Sequence, residues 1–161
     1  MEKVYLSWEQ SESMWRDLAC KLRDNKPDLI VGIARGGLTP AVWLSHNLDV
    51  PMEPLIWTTR DGDFKEHNLN VSEAISDERT VVFVDDINDT GLTFNGICDH
   101  FDHVWKEINN NNKLITQRKC FYAAMVEKRS SKFKVDYAAT TVSGEEADKW
   151  FVFPWERWAS E

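Results

Sequence analysis

The stretch of this 161-residue chain with the most chemistry in it is Val81-Val82-Phe83-Val84-Asp85-Asp86-Ile87-Asn88-Asp89-Thr90-Gly91-Leu92-Thr93. A continuous apolar run reads as a buried parallel strand. Here it delivers two adjacent carboxylates, then a third, then Thr-Gly-x-Thr at the start of a helix. Ligands of open α/β sheets bind beyond the carboxyl ends of strands. At a helix start, hydroxyls, free N–H groups and the positive end of the dipole converge on an anion. The segment therefore offers a phosphate cradle beside an acidic pair. A phosphorylated sugar with free vicinal hydroxyls needs both. The plain reading of the same residues is an acidic turn that caps a helix.

A second loop, Ile33-Ala34-Arg35-Gly36-Gly37-Leu38, also lies between a strand and a helix. Gly36 and Gly37 allow a close backbone approach that other residues forbid, and Arg35 can add a charge-assisted contact to an anion. Alone, Arg-Gly-Gly is an ordinary tight turn. Ahead of Asp85-Asp86 in the chain it gains meaning as a second anion loop.

Strand and helix alternate around these loops. Short strands are expected at 3–7, 29–33, 51–59, 80–84, 121–126 and 137–142. A helix over 11–23 follows from Met14, Trp15, Leu18 and Leu22, with Ser11 or Ser13 as its cap. Thr39-Pro40 reads as a cap and first helical residue of a helix running to about Leu48. A further helix is expected over 93–106. Residues 60–70 read as a polar loop, and the run of four asparagines from Asn109 to Asn112 as an exposed loop without function. The order argues a single α/β domain with a mostly parallel twisted sheet flanked by helices.

Composition narrows the partners. The formal charge of −8 speaks against a nucleic-acid binder, and small anions stay open because local charge decides those. Cys20, Cys98 and Cys120 are odd in number and far apart, as expected of reduced thiols in a cytoplasmic protein. The N-terminal residues lack the apolar core of a signal peptide, and no apolar run approaches membrane-span length. The eight tryptophans read mainly as packing residues. His46 and His67 stand alone. His100 and His103, without a carboxylate or cysteine at metal spacing, read as surface residues.

The Asp85-Asp86 to Thr93 run resembles the signature of the type I phosphoribosyltransferases, and Arg35-Gly36-Gly37 resembles their pyrophosphate loop. Both ends of the chain, Val4-Tyr5-Leu6-Ser7-Trp8 and Asp148-Lys149-Trp150-Phe151-Val152-Phe153-Pro154-Trp155-Glu156, are similar to those of the bacterial xanthine–guanine phosphoribosyltransferases. The resemblance implies transfer of the 5-phosphoribosyl group of phosphoribosyl pyrophosphate to a purine base, with Mg²⁺ and release of pyrophosphate. It implies Asp89 as general base and a 5′-phosphate held by Thr90, Gly91, Leu92 and Thr93. Asp85 and Asp86 would take the ribose hydroxyls and the metal. Arg35, Gly36 and Gly37 would hold the pyrophosphate, with a cis peptide between Ala34 and Arg35. A lid over 58–70 would bring Arg60 and Lys65 to the pyrophosphate. A hood built from about 1–10 and 127–161 would read a 6-oxopurine (guanine, xanthine or hypoxanthine) through Lys128, with Trp150 stacking and Phe151 beside it. Members of the family are dimers or tetramers. Lys128 also sits near Arg129, Lys132 and Lys134, where a solvated basic face is the plain reading. Two rivals remain: a regulator on the same fold that senses a phosphoribosyl ligand and binds RNA or protein, and an unrelated α/β phosphate-binding enzyme.

Overall fold

The computed structural model describes residues 1–57, 68–108 and 119–156. Five strands form the main sheet: β2 (Leu29–Ala34), β3 (Met52–Ile56), β4 (Val81–Asn88), β5 (Cys120–Lys128) and β6 (Tyr137–Val142). Their order is β3-β2-β4-β5-β6, and every neighbouring pair is parallel. The central strands are apolar on both faces because helices cover both: Ile30, Val31, Val82, Phe83 and Val84 are fully buried. One face packs on α1 (Trp8–Arg23) and α2 (Leu38–Leu48) through Leu18, Leu22, Ala41 and Leu44. The other packs on α3 (Leu69–Ser76) and α4 (Leu92–Ile108) through Val71, Ala74, Phe94 and Ile97. A separate small sheet pairs β1 (Lys3–Tyr5) with β7 (Trp150–Val152), bringing the first and last described segments together.

The α/β architecture is the expected one, and the departures are local. Helix α1 begins at Trp8, and its cap is Ser7, in place of Ser11 or Ser13. The Gln10 N–H donates to Ser7 Oγ at 3.1 Å and the Ser7 N–H to Gln10 Oε1 at 2.8 Å, a reciprocal capping box. Ser11 lies buried inside the helix. Helix α2 starts at Leu38 behind Gly37, with no side-chain cap, so Thr39 and Pro40 already lie in its first turn. Helix α3 takes up only the last two residues of the loop expected over 60–70 and runs on to Ser76 through a stretch with no expected element. Asn68 caps it by accepting from the Val71 N–H at 3.1 Å, and its apolar residues complete the core under β4.

Residues 137–142 belong to the main sheet because β6 pairs with β5, which leaves only the chain beyond Val142 to join β1. His100 is half-buried, edge-on to Trp57 at 5.6 Å, where a surface position was expected. All three cysteines are free. No described helix is long and apolar enough to cross a membrane. The asparagine run lies outside the described residues.

Candidate active site

Strands β2 and β4 are neighbours, and the chain leaves β2 toward β3 on one side and returns to β4 on the other. That reversal opens a crevice at the strands' carboxyl ends, the place where such sheets take ligands. A cavity of about 860 Å³ lies there, walled by Arg35 and Gly36 after β2, by Asp85 to Phe94 around the end of β4, and by Lys128 at the end of β5. Lys149, Trp150, Phe151, Phe153, Trp155 and Glu156 close it from the C-terminal side.

Of the residues expected at a site, Arg35, Gly36, Asp85, Asp86, Asp89, Thr90, Gly91, Leu92, Thr93, Lys128, Trp150 and Phe151 all line this cavity. Gly37 does not, and its N–H donates to the Ile33 carbonyl at 2.9 Å. A β-carbon on Gly37 would overlap the Val84 carbonyl oxygen, so this glycine lets α2 seat against β4. At Gly36 the obstacle is the site itself, because a β-carbon there would overlap the Asp86 carboxylate. The loop can rest on the acidic pair only because Gly36 has no side chain. The Ala34–Arg35 peptide is cis, as the resemblance implied. Arg60, Lys65 and most of the expected lid lie outside the described residues.

The acidic pair carries a strained charge distribution. Burial, and then the neighbouring Asp86 charge, push the Asp85 carboxyl well above the ordinary carboxylate range. Burial, and then the charge of Glu156, push Asp86 up to about 6. Among the described residues neither has an ion-pair partner. A buried carboxylate beside a half-buried one in this condition fits hydroxyl donors or a hard divalent cation whose remaining ligands are substrate oxygens and water. Mg²⁺ matches that donor set, with Asp85 and Asp86 as the residues that would hold it.

At the turn after β4, Gly91 adopts φ +87°, and a β-carbon would strike the Phe133 backbone nitrogen at 2.5 Å. The turn is braced by the Lys132 N–H, which donates to the Thr90 carbonyl at 3.1 Å. It hands the chain into α4 at Leu92, so Thr93 stands in the helix's first turn, a place where helix geometry can receive an anion. Lys128 is no solvated-face lysine. Its side chain is 11% exposed, and Nζ lies 2.9 Å from Asp89 Oδ1. A cation and a carboxylate thus stand side by side in the cavity, which Trp150, 43% exposed, also lines.

Glu156, Trp155, Lys149 and Trp57 complete the wall, and their sequence context alone gave them no role there. Glu156 holds its place by accepting from the Phe153 N–H at 2.9 Å. Trp155 stacks on Phe153 at 4.9 Å and on Trp15 of α1 at 5.8 Å, tying the closing segment to the core. Only the density of aromatic residues around Pro154 hinted at this.

Residues 3–157 match the phosphoribosyl transferase domain family. The chain is 27% identical over 163 aligned residues to a xanthine-guanine phosphoribosyltransferase of Cereibacter sphaeroides, covering 94% of this chain and 86% of that protein. A protein of the same name from Desulfotalea psychrophila is 28% identical over 156 residues, covering 94% and 84%. Among solved structures, a purine phosphoribosyltransferase from Pyrococcus horikoshii superposes with a TM-score of 0.75 at 33% identity, covering 98% of this chain and 96% of that one. The Helicobacter pylori xanthine-guanine-hypoxanthine enzyme, 20% identical with a TM-score of 0.67, shares the fold. The strand-borne acidic pair, the turn at Gly91 and the match over nearly all of the sequence lead to one conclusion: this chain belongs to the phosphoribosyl transferase family and is a phosphoribosyltransferase.

Proposed function

We propose that the enzyme transfers the 5-phosphoribosyl group of phosphoribosyl pyrophosphate to a 6-oxopurine (guanine, xanthine or hypoxanthine), releasing pyrophosphate in a purine salvage reaction. The observation that carries this reading is the Lys128–Asp89 pair, 2.9 Å apart in the cavity that also holds the acidic pair. A 6-oxopurine presents, on one edge, an oxygen that accepts from an ammonium and a ring N–H that donates to a carboxylate. Such an edge satisfies both members of the pair at once. A 6-aminopurine would turn a donor toward Lys128. The relatives matched over nearly the whole chain carry xanthine-guanine and purine names, which supports the same class, while an orotate phosphoribosyltransferase matches 56% of the chain at 39% identity.

In this reading Thr90, Gly91, Leu92 and Thr93 hold the 5′-phosphate, and Arg35 and the Gly36 N–H face the pyrophosphate. Asp85 and Asp86 receive the ribose hydroxyls and set negative charge beside the ring as it gains oxocarbenium character. Mg²⁺, when bound, neutralises pyrophosphate charge. Asp89 takes the proton from the purine nitrogen N7, Lys128 donates to the 6-oxygen, and Trp150 stacks on the base with Phe151 beside it. The chain acts as one domain whose small β1–β7 sheet is the hood over the base. Arg60 and Lys65 belong to the proposed lid, which would exclude water from the activated ribose.

The test is pyrophosphate release with Mg²⁺, phosphoribosyl pyrophosphate and, in turn, guanine, xanthine, hypoxanthine, adenine and uracil. Release is expected with 6-oxopurines and not with adenine or uracil. Release with adenine alone would overturn the base assignment. Silence with every base would favour the ligand-sensing regulator.

A further inference from the structure

Directly beneath the Lys128–Asp89 pair lies a buried polar cluster. Asn88 and Glu127 are register partners on β4 and β5, so each immediately precedes a member of the pair. They are 1% and 9% exposed. Asn88 Nδ2 donates to Glu127 Oε1 at 3.2 Å and to the Phe133 carbonyl at 2.8 Å. Ser131, buried in the loop after β5, sets its hydroxyl 2.9 Å from Asn88 Oδ1 and 2.9 Å from the Phe133 carbonyl. Its own N–H donates to the Lys128 carbonyl at 2.9 Å. The Val135 N–H closes the circuit onto Glu127 Oε1 at 3.1 Å.

Buried polar groups on this scale have to be matched group by group, because an unpaired one costs more than a formed bond returns. A core that only needed filling here would be met by apolar side chains. Sheet pairing fixes the backbones of β4 and β5 as far as Asn88 and Glu127. Beyond that point the β4–β5 pairing ends: Asp89 leaves the sheet, Lys128 stays paired only with Val142 of β6, and these next residues in sequence are the ones that would touch the purine. The cluster spans that gap, with Ser131 bonded to the chain on both sides.

We propose that Ser131, through Asn88, is a positioning residue that sets the spacing and orientation of Asp89 and Lys128 for the base. This rests on the role proposed above for that pair. The Ser131 hydroxyl also lies against Gly91 of the phosphate turn, but that turn keeps two backbone braces when the hydroxyl is removed, Lys132 N–H to the Thr90 carbonyl and Asn95 N–H to the Gly91 carbonyl, so the loss falls mainly on the base side.

The experiment compares Ser131→Ala with a matched control, Ser45→Ala. The control deletes a hydroxyl bonded to the Val50 carbonyl at 2.6 Å at the far end of α2. Steady-state constants are taken for the preferred base and for phosphoribosyl pyrophosphate, normalised to the folded fraction from circular dichroism. Ser131→Ala is expected to raise KM for the base and lower kcat, for a combined loss of about tenfold in kcat/KM, as expected for one hydrogen bond at about 1.4 kcal/mol per tenfold. The KM for phosphoribosyl pyrophosphate stays within about twofold. The control loses stability without changing either constant. Unchanged base constants in Ser131→Ala, or an equal rise in both KM values, would overturn the proposal. Asp89→Asn is assayed in parallel. If it keeps full turnover, the role of the pair fails; if it is crippled while Ser131→Ala is normal, only the positioning inference fails.

Discussion

The two halves of the cavity are made of different material. The half proposed for the sugar phosphate hangs from β2 and β4, the buried centre of a five-stranded sheet, and is shaped by tight backbone turns at Gly36 and Gly91 around the acidic pair. The half proposed for the base is closed by side chains at the molecule's margin: a lysine at a strand end and a tryptophan in a three-residue strand, itself 43% exposed. A site made of backbone on a rigid core changes little when a single surface residue changes. A site made of marginal side chains can be retuned one residue at a time. The division predicts that damage to the first half abolishes donor use, and that damage to the second alters acceptor affinity while donor binding persists.

Four substitutions would break or sharpen that division. Asp89→Asn, at the seam, should have the largest effect. Turnover should fall by roughly 10²–10⁴-fold, the range for a lost general base. Isothermal titration should show phosphoribosyl pyrophosphate binding nearly unchanged, and equal loss of both would merge the two halves. Gly36→Ala comes next. Its methyl would overlap the Asp86 carboxylate, and one of the two must move. Overpacking of about 1–3 kcal/mol should appear as roughly 5–100-fold weaker donor binding, with KM for the base unaltered.

Trp150→Ala tests the other half. Stacking on a nucleobase is worth about 1–3 kcal/mol, so KM for the base should rise roughly 5–100-fold while donor binding and melting temperature hold. A loss of donor binding would show that the hood is no separate part.

The smallest effect is on stability. Folding raises Asp86 from an ordinary value near 3.8 to about 6, so its acid form favours the folded state. The resulting penalty is absent below about pH 4 and reaches its full size as the pH rises through about 6. Asp86→Asn should therefore raise the melting temperature of the ligand-free protein at pH 8 in EDTA, at about 2–4 °C per kcal/mol, and the gain should vanish toward pH 4. A gain of equal size at both pH values would remove the electrostatic explanation.

The two halves also differ in how well the sequence displays them. Strand β4 and its turn are readable because one uninterrupted segment holds apolar run, carboxylates and helix start, and local chemistry decides all three. Thr39-Pro40 misled for the opposite reason: a good cap signal lost to the tight turn that Gly37 makes against β4. Helix α3 has only eight residues, too few for its periodicity to stand out from a polar loop. Glu156 and Lys149 reach the cavity only through pairing between the two ends of the sequence, which no local window contains. Lys128 was visible as a lysine among lysines; its burial against Asp89 is a tertiary fact.

That end-to-end pairing has a consequence for synthesis. Lys3 waits for Trp150, and Tyr5 for Val152. Every strand of the main sheet is made before residue 143. A growing chain can thus have its whole main sheet synthesised before the segment that pairs with β1 is made. On the assignment proposed above, a chain interrupted there would carry the Asp89–Lys128 pair and no Trp150 to stack on the base.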